Sequence, residues 1–216
     1  MSTSSRSTSR LFVEGTHDRA VICAVLEKHF TNQPRWFRKD LIEEGPNDER
    51  ALSNFVLATK NPGRWGLVLD ADVTVGKGLG ERWDAIRTQL RQEMGEAEIF
   101  PSAPHADGWI TQFRDARVGV WLMPDNVNAG ALEAFLLGLV PPSPLFDHAG
   151  KAVSEAITHG AKFAEVHREK ARLHTYLAWS KEPGRPYGRA IAAGDFDVTR
   201  SELPARFATW VERLFG

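Results

Sequence analysis

The sequence predicts an α/β fold: a mostly parallel sheet of four to five strands with helices on both faces, followed by a C-terminal all-helical extension. Short apolar runs at residues 10–14, 65–70 and 118–123 are typical of buried strands. Stretches with apolar residues at helical spacing alternate with these runs, and such alternation builds parallel sheets. Beyond residue 141 only helical patterns remain, which predicts the extension.

The first half of the chain alternates strand and helix. The strand at 10–14 leads into a helix that Thr16 or Asp18 can cap, because short polar side chains accept hydrogen bonds from the first amides of a helix. This helix runs to about residue 30. The other elements predicted here are a strand over 35–43, a helix over 48–60, a strand over 65–70 and an amphipathic helix with Leu79, Trp83, Ile86 and Leu90 on one face.

The second half begins with a short strand at 109–113 and a longer one at 118–123, which Pro124 ends. A helix follows from Leu132 to about residue 139. The run Pro141-Pro142-Ser143-Pro144 is a stiff break in the chain. The predicted division is a flexible N-terminus at 1–9, an α/β domain at 10–140 and a helical extension at 141–216 packed on it, with helices over 147–159, 163–179 and 202–214.

Composition narrows the class of protein. Apolar residues make up 42% of the chain and charged residues 25%, which is ordinary for a globular protein. No apolar stretch approaches the length that crosses a bilayer, and no apolar segment follows the Ser- and Thr-rich start to make a secretory signal. The single cysteine, Cys23, excludes an internal disulfide and a Cys-based zinc site. These features predict a cytoplasmic protein without membrane contact.

Three acidic residues lie at the ends of two of the predicted strands. Glu14 ends the first, Asp70 ends the strand at 65–70, and Asp72 lies two residues further on. The carboxyl ends of parallel strands meet at one edge of a sheet, where ligands bind. One such acid is most simply a helix cap, but three together repel each other unless a cation lies among them. Oxygen ligands favour Mg²⁺ or Mn²⁺, so the pattern predicts a metal site.

These acids belong to two short motifs. Phe12-Val13-Glu14-Gly15-Thr16-His17-Asp18 and Asp70-Ala71-Asp72 resemble motifs of the Toprim domain, found in topoisomerases, primases, overcoming-lysogenisation-defect nucleases and ribosomal RNA maturases. The Toprim resemblance covers about the first 140 residues. The whole chain also resembles a short bacterial Toprim-like family filed only as a domain of unknown function, through 120–126, 130–135, 177–179 and 183–188.

The resemblance implies roles for individual residues. Glu14 corresponds to a metal ligand in the nucleases and to an acid or base in topoisomerases. Asp70 and Asp72 are implied metal ligands, and Asp18 is either a ligand or only a helix cap. Glu133 looks like the glutamate that helps to hold a second metal, although a first-turn glutamate is also favoured by the helix dipole alone. The implied cofactor is Mg²⁺ or Mn²⁺, as one or two ions.

A basic segment follows the acidic half of the chain. Residues 162–189 contain seven Lys and Arg against three Glu, which suits a phosphate-bearing substrate but is also typical of a solvated helix. Lys170 falls in an apolar stripe, so it either extends to the surface or contacts a phosphate, as a lysine of related nucleases does. The predicted nucleic-acid contacts are Arg168, Lys170, Arg172, Lys181 and Arg185.

Three weaker signals lie near the acids. The glycine-rich segment with Gly76, Gly78 and Gly80 lacks the ending of a nucleotide-binding loop, which predicts a mobile loop beside the metal. Asp125 follows a strand and is a further metal candidate. His17 lies next to Asp18, where it either contacts a phosphate or faces solvent.

The function predicted from these residues is Mg²⁺- or Mn²⁺-dependent phosphotransfer on nucleic acid, most simply by a nuclease. Glu14 and Lys170 are the predicted catalytic residues. Two alternatives remain open. One is a catalytically weak binding or regulatory subunit of a bacterial defence or toxin–antitoxin system. The other is a small-molecule phosphatase or nucleotide hydrolase, which would act on free nucleotides and not on polymers. A protein partner and a homodimer are both compatible with the sequence.

Overall fold

A computed structural model describes residues 9–72, 76, 78–95 and 100–216. The predicted flexible N-terminus lies outside these residues except for Ser9, and so does part of the glycine-rich segment. The strands are β1 (Ser9–Val13), β2 (Ile42–Glu44), β3 (Gly63–Asp70), β4 (Trp109–Phe113) and β5 (Ala116–Met123). The helices are α1 (Thr16–His29), α2 (Asp48–Ala58), α3 (Leu79–Met94), α4 (Leu132–Leu137), α5 (Pro144–Thr158), α6 (Arg168–Ala178), α7 (Tyr187–Ala193) and α8 (Leu203–Phe215).

The five strands form one sheet in the order β2-β1-β3-β5-β4. Strands β2, β1, β3 and β5 are parallel, and β4 runs antiparallel beside β5 at the edge. In this register Val13 lies opposite Val68, and Asp70 lies opposite Met123. The carboxyl ends of β1, β3 and β5 therefore meet at one edge. This arrangement confirms the predicted α/β fold with a mostly parallel sheet, flanking helices and C-terminal helices.

Alternate residues of the sheet pack into two separate cores. Side chains such as Leu67 and Leu69 of β3 pack with α2 and α3, whereas Val68 packs on the other face with α1, α4 and α8. Period-two alternation of this kind is what a strand covered on both faces requires, because successive side chains point to opposite sides. Both faces of the sheet are therefore apolar and covered by helices.

Helix α8 packs directly on the sheet. A side chain at Gly66 would bring its Cβ within 2.9 Å of Leu214, so the glycine lets the helix lie close to β3. Trp210 and Leu214 of α8 are fully buried in the same apolar cluster as α1. The predicted extension thus shares a continuous core with the α/β part. None of the helices among the described residues is both long and apolar enough to cross a bilayer.

Three elements differ from the sequence prediction. The strand predicted over 35–43 is wrong in place: a 3₁₀ turn at Lys39–Leu41 precedes the short β2, because Trp36 packs its ring against Phe30 and Phe215 instead of extending. The helix predicted from residue 163 begins only at Arg168, after a second 3₁₀ turn. Helix α7 was missed because it is short and lies in a segment rich in glycine and proline.

Candidate functional site

Two adjoining cavities lie at the carboxyl edge of the sheet. The larger, about 420 Å³, contains Glu14, Asp18, Asp70, Glu133 and Lys170 in its wall. The smaller, about 170 Å³, shares Asp70, Glu133 and Lys170 with it and adds Asp72. The structure therefore brings together all five predicted metal-binding carboxylates and the predicted catalytic lysine. The remaining wall residues are Gly15, Thr16, His17, Pro46, Asn47 and Leu132 in the larger cavity, and Gly130, Ala131, Val166, His167 and Glu169 in the smaller.

The turn between β1 and α1 supplies two of the acids. Glu14 follows the last residue of β1 and is half-buried. Asp18 lies in the first turn of α1, where its carboxylate accepts hydrogen bonds from its own backbone N–H and that of Gly15. A carboxylate at this position satisfies amides that the helix leaves without a partner. Asp18 thus bonds to the amides at the start of the helix and also lines the cavity.

The end of β3 is tied to the start of α4. Asp70 is the last residue of β3, and its Oδ1 accepts a hydrogen bond from the Leu132 N–H at 3.0 Å. Ala71 and Gly130 form an antiparallel bridge just beside it. Gly130 has a φ of 158°, and a Cβ there would lie 3.1 Å from Pro124. These contacts explain why Glu133 lies next to Asp70, although 62 residues separate Asp70 from Leu132 in the chain.

Burial and neighbouring acids raise the pKa of two acids of the larger cavity, Asp70 and Asp18. Burial raises the pKa of Asp70 to about 8, the charges of Asp18, Glu14 and Glu133 add to it, and the Leu132 amide opposes it. Burial also raises the pKa of Asp18 to about 6, with a contribution from Glu133 and an opposing one from Lys170. Like charges at close range favour protonation in this way. Ionisation of these acids is therefore costly in the folded chain, and a bound cation would offset that cost.

Lys170 contacts the acids directly. Helix α6 packs on α4 and places the Lys170 Nζ 3.1 Å from Glu133 Oε1. The lysine side chain is 44% exposed and that of Glu133 is 15% exposed. Its stem leaves the apolar stripe of Leu173 and Leu177, and its ammonium lies inside the cavity. The sequence left two outcomes open for Lys170, extension to the surface or contact with a phosphate. In the structure its ammonium pairs with the Glu133 carboxylate and remains accessible to solvent.

The residues fit a hard divalent cation by donor type, but they do not form a finished ligand set. All five acids offer carboxylate oxygens, which Mg²⁺ and Mn²⁺ prefer. Within the described part of the chain, no three His, Cys, Asp or Glu side chains are grouped closely enough to hold a metal ion as they stand. Coordination by these acids would therefore require their side chains to rotate.

Only Lys170 of the five predicted nucleic-acid contacts lines these cavities. Arg185 is 9% exposed, and its guanidinium pairs with Asp195 at 2.8 Å and with Glu182 at 3.2 Å. This pairing argues against a contact between Arg185 and phosphate. The other three positions lie elsewhere: Arg168 bonds to Glu165 and Ser154, Arg172 stacks 3.8 Å from the Phe146 ring centroid in a separate depression, and Lys181 is exposed.

Asp125, the further metal candidate, has a different environment. Its carboxylate accepts hydrogen bonds from the backbone N–H groups of Val127 and Asn128 and from the Asn128 side chain. These bonds lower its pKa and close the turn after β5. Asp125 does not line either cavity and stabilises the loop instead.

Two contributors were not found from the sequence. Arg82 of α3 donates from Nε to the Asp70 carbonyl at 3.1 Å and pairs with Asp48 of α2 at 2.8 Å, so it holds the end of β3 against both helices. Tyr187 packs its ring against His17, which lines the larger cavity. No local signal marks Arg82, whereas the aromatic residue after Arg185-Pro186 was a visible signal without an assigned use.

The fold and the site define an α/β protein with a carboxylate-lined cavity at the carboxyl edge of its parallel strands. The family model described as "Protein of unknown function (DUF3226)" matches residues 8–216, and the chain belongs to this family. Comparison with curated proteins and with solved structures gives no match. The family description states no activity, so a function must be argued from the residues themselves.

Proposed function

We propose that this protein is a Mg²⁺- or Mn²⁺-dependent phosphotransfer enzyme that acts on nucleic acid, most simply a nuclease that hydrolyses phosphodiester bonds. The observation that supports it is the gathering of Glu14, Asp18, Asp70 and Glu133 around one cavity with Lys170. Charged groups of one sign are rarely buried together unless a ligand neutralises them. A site of this kind is suited to a divalent cation and a phosphate.

The residues divide the chemistry between them. Bound by these carboxylates, a divalent cation would supply Lewis-acid stabilisation of the charge on the phosphate. Glu14 would accept the proton of an attacking water or hold the cation. Lys170 would exchange its contact with Glu133 for one with a non-bridging phosphate oxygen, where a positive charge favours the transition state. Glu133 would then be available to hold the cation.

The resemblance to Toprim domains supports the same proposal. Both motifs that carry the resemblance contribute side chains to the two adjoining cavities: Glu14 and Asp18 from the first, and Asp70 and Asp72 from the second. Residues separated by more than fifty positions thus meet where the resemblance implies a common site. A cytoplasmic location and a nucleic-acid substrate belong to this proposal as well.

A second candidate function is a catalytically weak binding or regulatory subunit, with a protein partner or a second copy of the chain. One observation favours it: the acids in the described part of the chain do not form a finished metal-binding group. The two candidates differ in metal affinity. An enzyme must bind Mn²⁺ or Mg²⁺ through Asp70 and Asp72, whereas a regulatory subunit need not.

The test is cleavage of end-labelled single- and double-stranded DNA and RNA in Mg²⁺ or Mn²⁺. Wild type is compared with Asp70→Asn/Asp72→Asn, and Asp147→Asn is the matched control because Asp147 is exposed and lines a different depression. Free nucleotides are assayed in parallel. We expect cleavage of a polymer that falls at least about 100-fold in the double variant and is unchanged in the control.

Metal binding is measured on the same proteins by isothermal titration with Mn²⁺. Binding that the double variant loses, together with polymer cleavage, supports the nuclease. Binding without cleavage of any polymer but with turnover of free nucleotides supports a nucleotide hydrolase. If the double variant keeps both Mn²⁺ binding and cleavage, the active site does not lie at these acids. That result would favour the regulatory subunit.

A further inference from the structure

The segment 183–188 has no place in the proposed chemistry so far, yet its last two residues are buried. Tyr187 begins α7 and is 4% exposed. Its ring lies edge-on to the His17 imidazole, with 6.1 Å between centroids, and 5.1 Å from the His174 imidazole. One buried ring thus contacts two histidines that come from different helices beside the carboxylate cluster.

Helix α7 is held tightly in this place. A Cβ on Gly188 would lie 2.6 Å from the Ala20 carbonyl oxygen, so only glycine permits α7 to approach α1 this closely. Arg185, buried in the turn before α7, pairs with Asp195 just after it. The two contacts fix both ends of α7 against the protein. As a result the Tyr187 ring has a defined position behind the first turn of α1.

Both histidines of this group are exposed. His17 lines the larger cavity together with Asp18 and Lys170. A nucleic-acid strand brings phosphate oxygens to the acids, and those oxygens need hydrogen-bond donors around the rim. An imidazole offers at least one N–H donor in either protonation state. Of the wall residues with side-chain donors, His17 and Lys170 come from separate helices, α1 and α6.

The Tyr187 hydroxyl does not explain the burial of this residue. It is buried and has no hydrogen-bond partner. A hydroxyl in that state contributes nothing to stability and costs free energy. Its ring is part of the apolar core, where it contacts Phe196, and it extends from that core to His17 and His174.

We propose that His17 is a substrate contact that donates a hydrogen bond to a phosphate of the nucleic acid, and that Tyr187 is the positioning residue that holds its imidazole at the cavity rim. The inference rests on the proposed function and deepens it, because it assigns the group that orients the substrate. His174, packed on the same ring, keeps Tyr187 from turning away. This role differs from that of the acids, since it concerns binding of the strand and not the metal.

The experiment compares five variants on the polymer that wild type cleaves: His17→Gln, Tyr187→Leu, Tyr187→Phe, the double variant His17→Gln/Tyr187→Leu, and His159→Gln as an exposed control. The readouts are kcat, KM and the affinity for a fluorescein-labelled oligonucleotide in EDTA. We expect His17→Gln to raise KM and Kd about tenfold, which is the cost of one lost hydrogen bond to phosphate. Its kcat should fall less than threefold by our estimate.

The Tyr187 variants separate the ring from the hydroxyl. Tyr187→Phe keeps the ring, so its KM should match wild type, while Tyr187→Leu should raise KM about fivefold. The double variant should be no worse than His17→Gln alone, because both changes remove the same contact. Circular dichroism and thermal melting check folding, and Tyr187→Met replaces Tyr187→Leu if the latter does not fold.

Several results would overturn the inference. A loss in Tyr187→Phe as large as that in Tyr187→Leu would assign the effect to the hydroxyl, and additive losses in the double variant would uncouple the two residues. If Asp70→Asn/Asp72→Asn abolishes cleavage but His17→Gln does not change KM or Kd, the inference fails while the proposed function stands. If wild type neither binds nor cleaves any polymer, the proposed function itself fails.

Discussion

Two groups of acids, one buried and one partly buried, lie close to the end of β3, and they are neutralised in different ways. Asp48 is 7% exposed, and its carboxylate meets the Arg82 guanidinium at 2.8 Å. The larger cavity contains four carboxylates, and Lys170 is the one Lys or Arg among its described wall residues. The first group has one cation for one acid. The second has one half-exposed cation for four acids, and the pKa of Asp70 rises to about 8.

This is the difference expected between a structural ion pair and the ligand site that we propose. Arg82 also donates to the Asp70 carbonyl, so the matched pair holds in place the strand end that presents the unmatched acids. The fold neutralises Asp48 with its own arginine, yet it gathers four acids around one lysine, Lys170, near the same strand end. Acids that repel one another lower the stability of the folded chain. Such repulsion is typical of a site where a ligand binds.

The largest effect should come from breaking the matched pair. Arg82→Met or Asp48→Asn leaves one buried charge without its partner, and each should lower the free energy of unfolding by about 3–5 kcal/mol. The measurement is urea denaturation. Lys60→Met is the control, because the Lys60–Glu93 pair is far more exposed and its loss should cost less than about 1 kcal/mol. Equal losses in Arg82→Met and Lys60→Met would contradict a structural role for Arg82.

Binding of the divalent cation that we propose should have the next largest effect. Mn²⁺ at about 100 times its Kd should raise the free energy of unfolding by about 2.7 kcal/mol, because the ion binds only the folded chain. The same titration on Asp70→Asn/Asp72→Asn should give no increase. Thermal melting with and without Mn²⁺ measures both. A similar increase in the two proteins would mean that the ion binds elsewhere.

The sequence was sufficient for the parts of the molecule that depend on local patterns. The apolar runs before Glu14 and Asp70 identified β1 and β3, and the position of an acid after a strand is enough to place it at the carboxyl edge. Glu133 was predicted as a site residue through a resemblance. The structure explains its position beside Asp70, because the Ala71–Gly130 bridge and the Leu132 amide bring α4 to Asp70.

The sequence was insufficient where a residue's role depends on its distant neighbours. Arg185 was grouped with phosphate contacts by its charge, but Asp195 occupies its guanidinium, and no pattern within a few residues indicates that pair. Tyr187 faces His17 only because Gly188 lets α7 approach α1. The strand predicted over 35–43 failed for the same reason, since Trp36 packs against Phe215 at the other end of the chain.

Removing one of the repelling charges should stabilise the protein, by less than the loss of the Arg82–Asp48 pair destabilises it. Asp70→Asn removes one charge from the unmatched group and retains the shape of the side chain. Without metal at about pH 8 it should raise the free energy of unfolding by about 1–2 kcal/mol. Asp147→Asn, at an exposed site, should change it by less than about 0.5 kcal/mol. A destabilised Asp70→Asn would show that the charge on Asp70 is needed for folding.

The smallest effect should be a pH dependence of the stability that Asp70→Asn adds. The pKa of Asp70 is raised from 3.8 to about 8 in the folded protein, so at intermediate pH the unfolded chain has lost a proton that the folded chain keeps. The acid therefore contributes its full stability below about pH 4, and this contribution is lost as pH rises towards about 8.

The advantage of Asp70→Asn over wild type should consequently grow by about 1 kcal/mol between about pH 5 and about pH 8 in metal-free buffer. Urea denaturation at several pH values measures it. Mn²⁺ should abolish the growth, because the ion neutralises the carboxylates in wild type. Asp48→Asn is the matched comparison. The free energy of unfolding that it loses should not change over this pH range, because Arg82 already compensates the charge of Asp48. An advantage of Asp70→Asn that stays constant with pH would mean that the four acids do not repel one another in solution, and the contrast between the two groups would disappear.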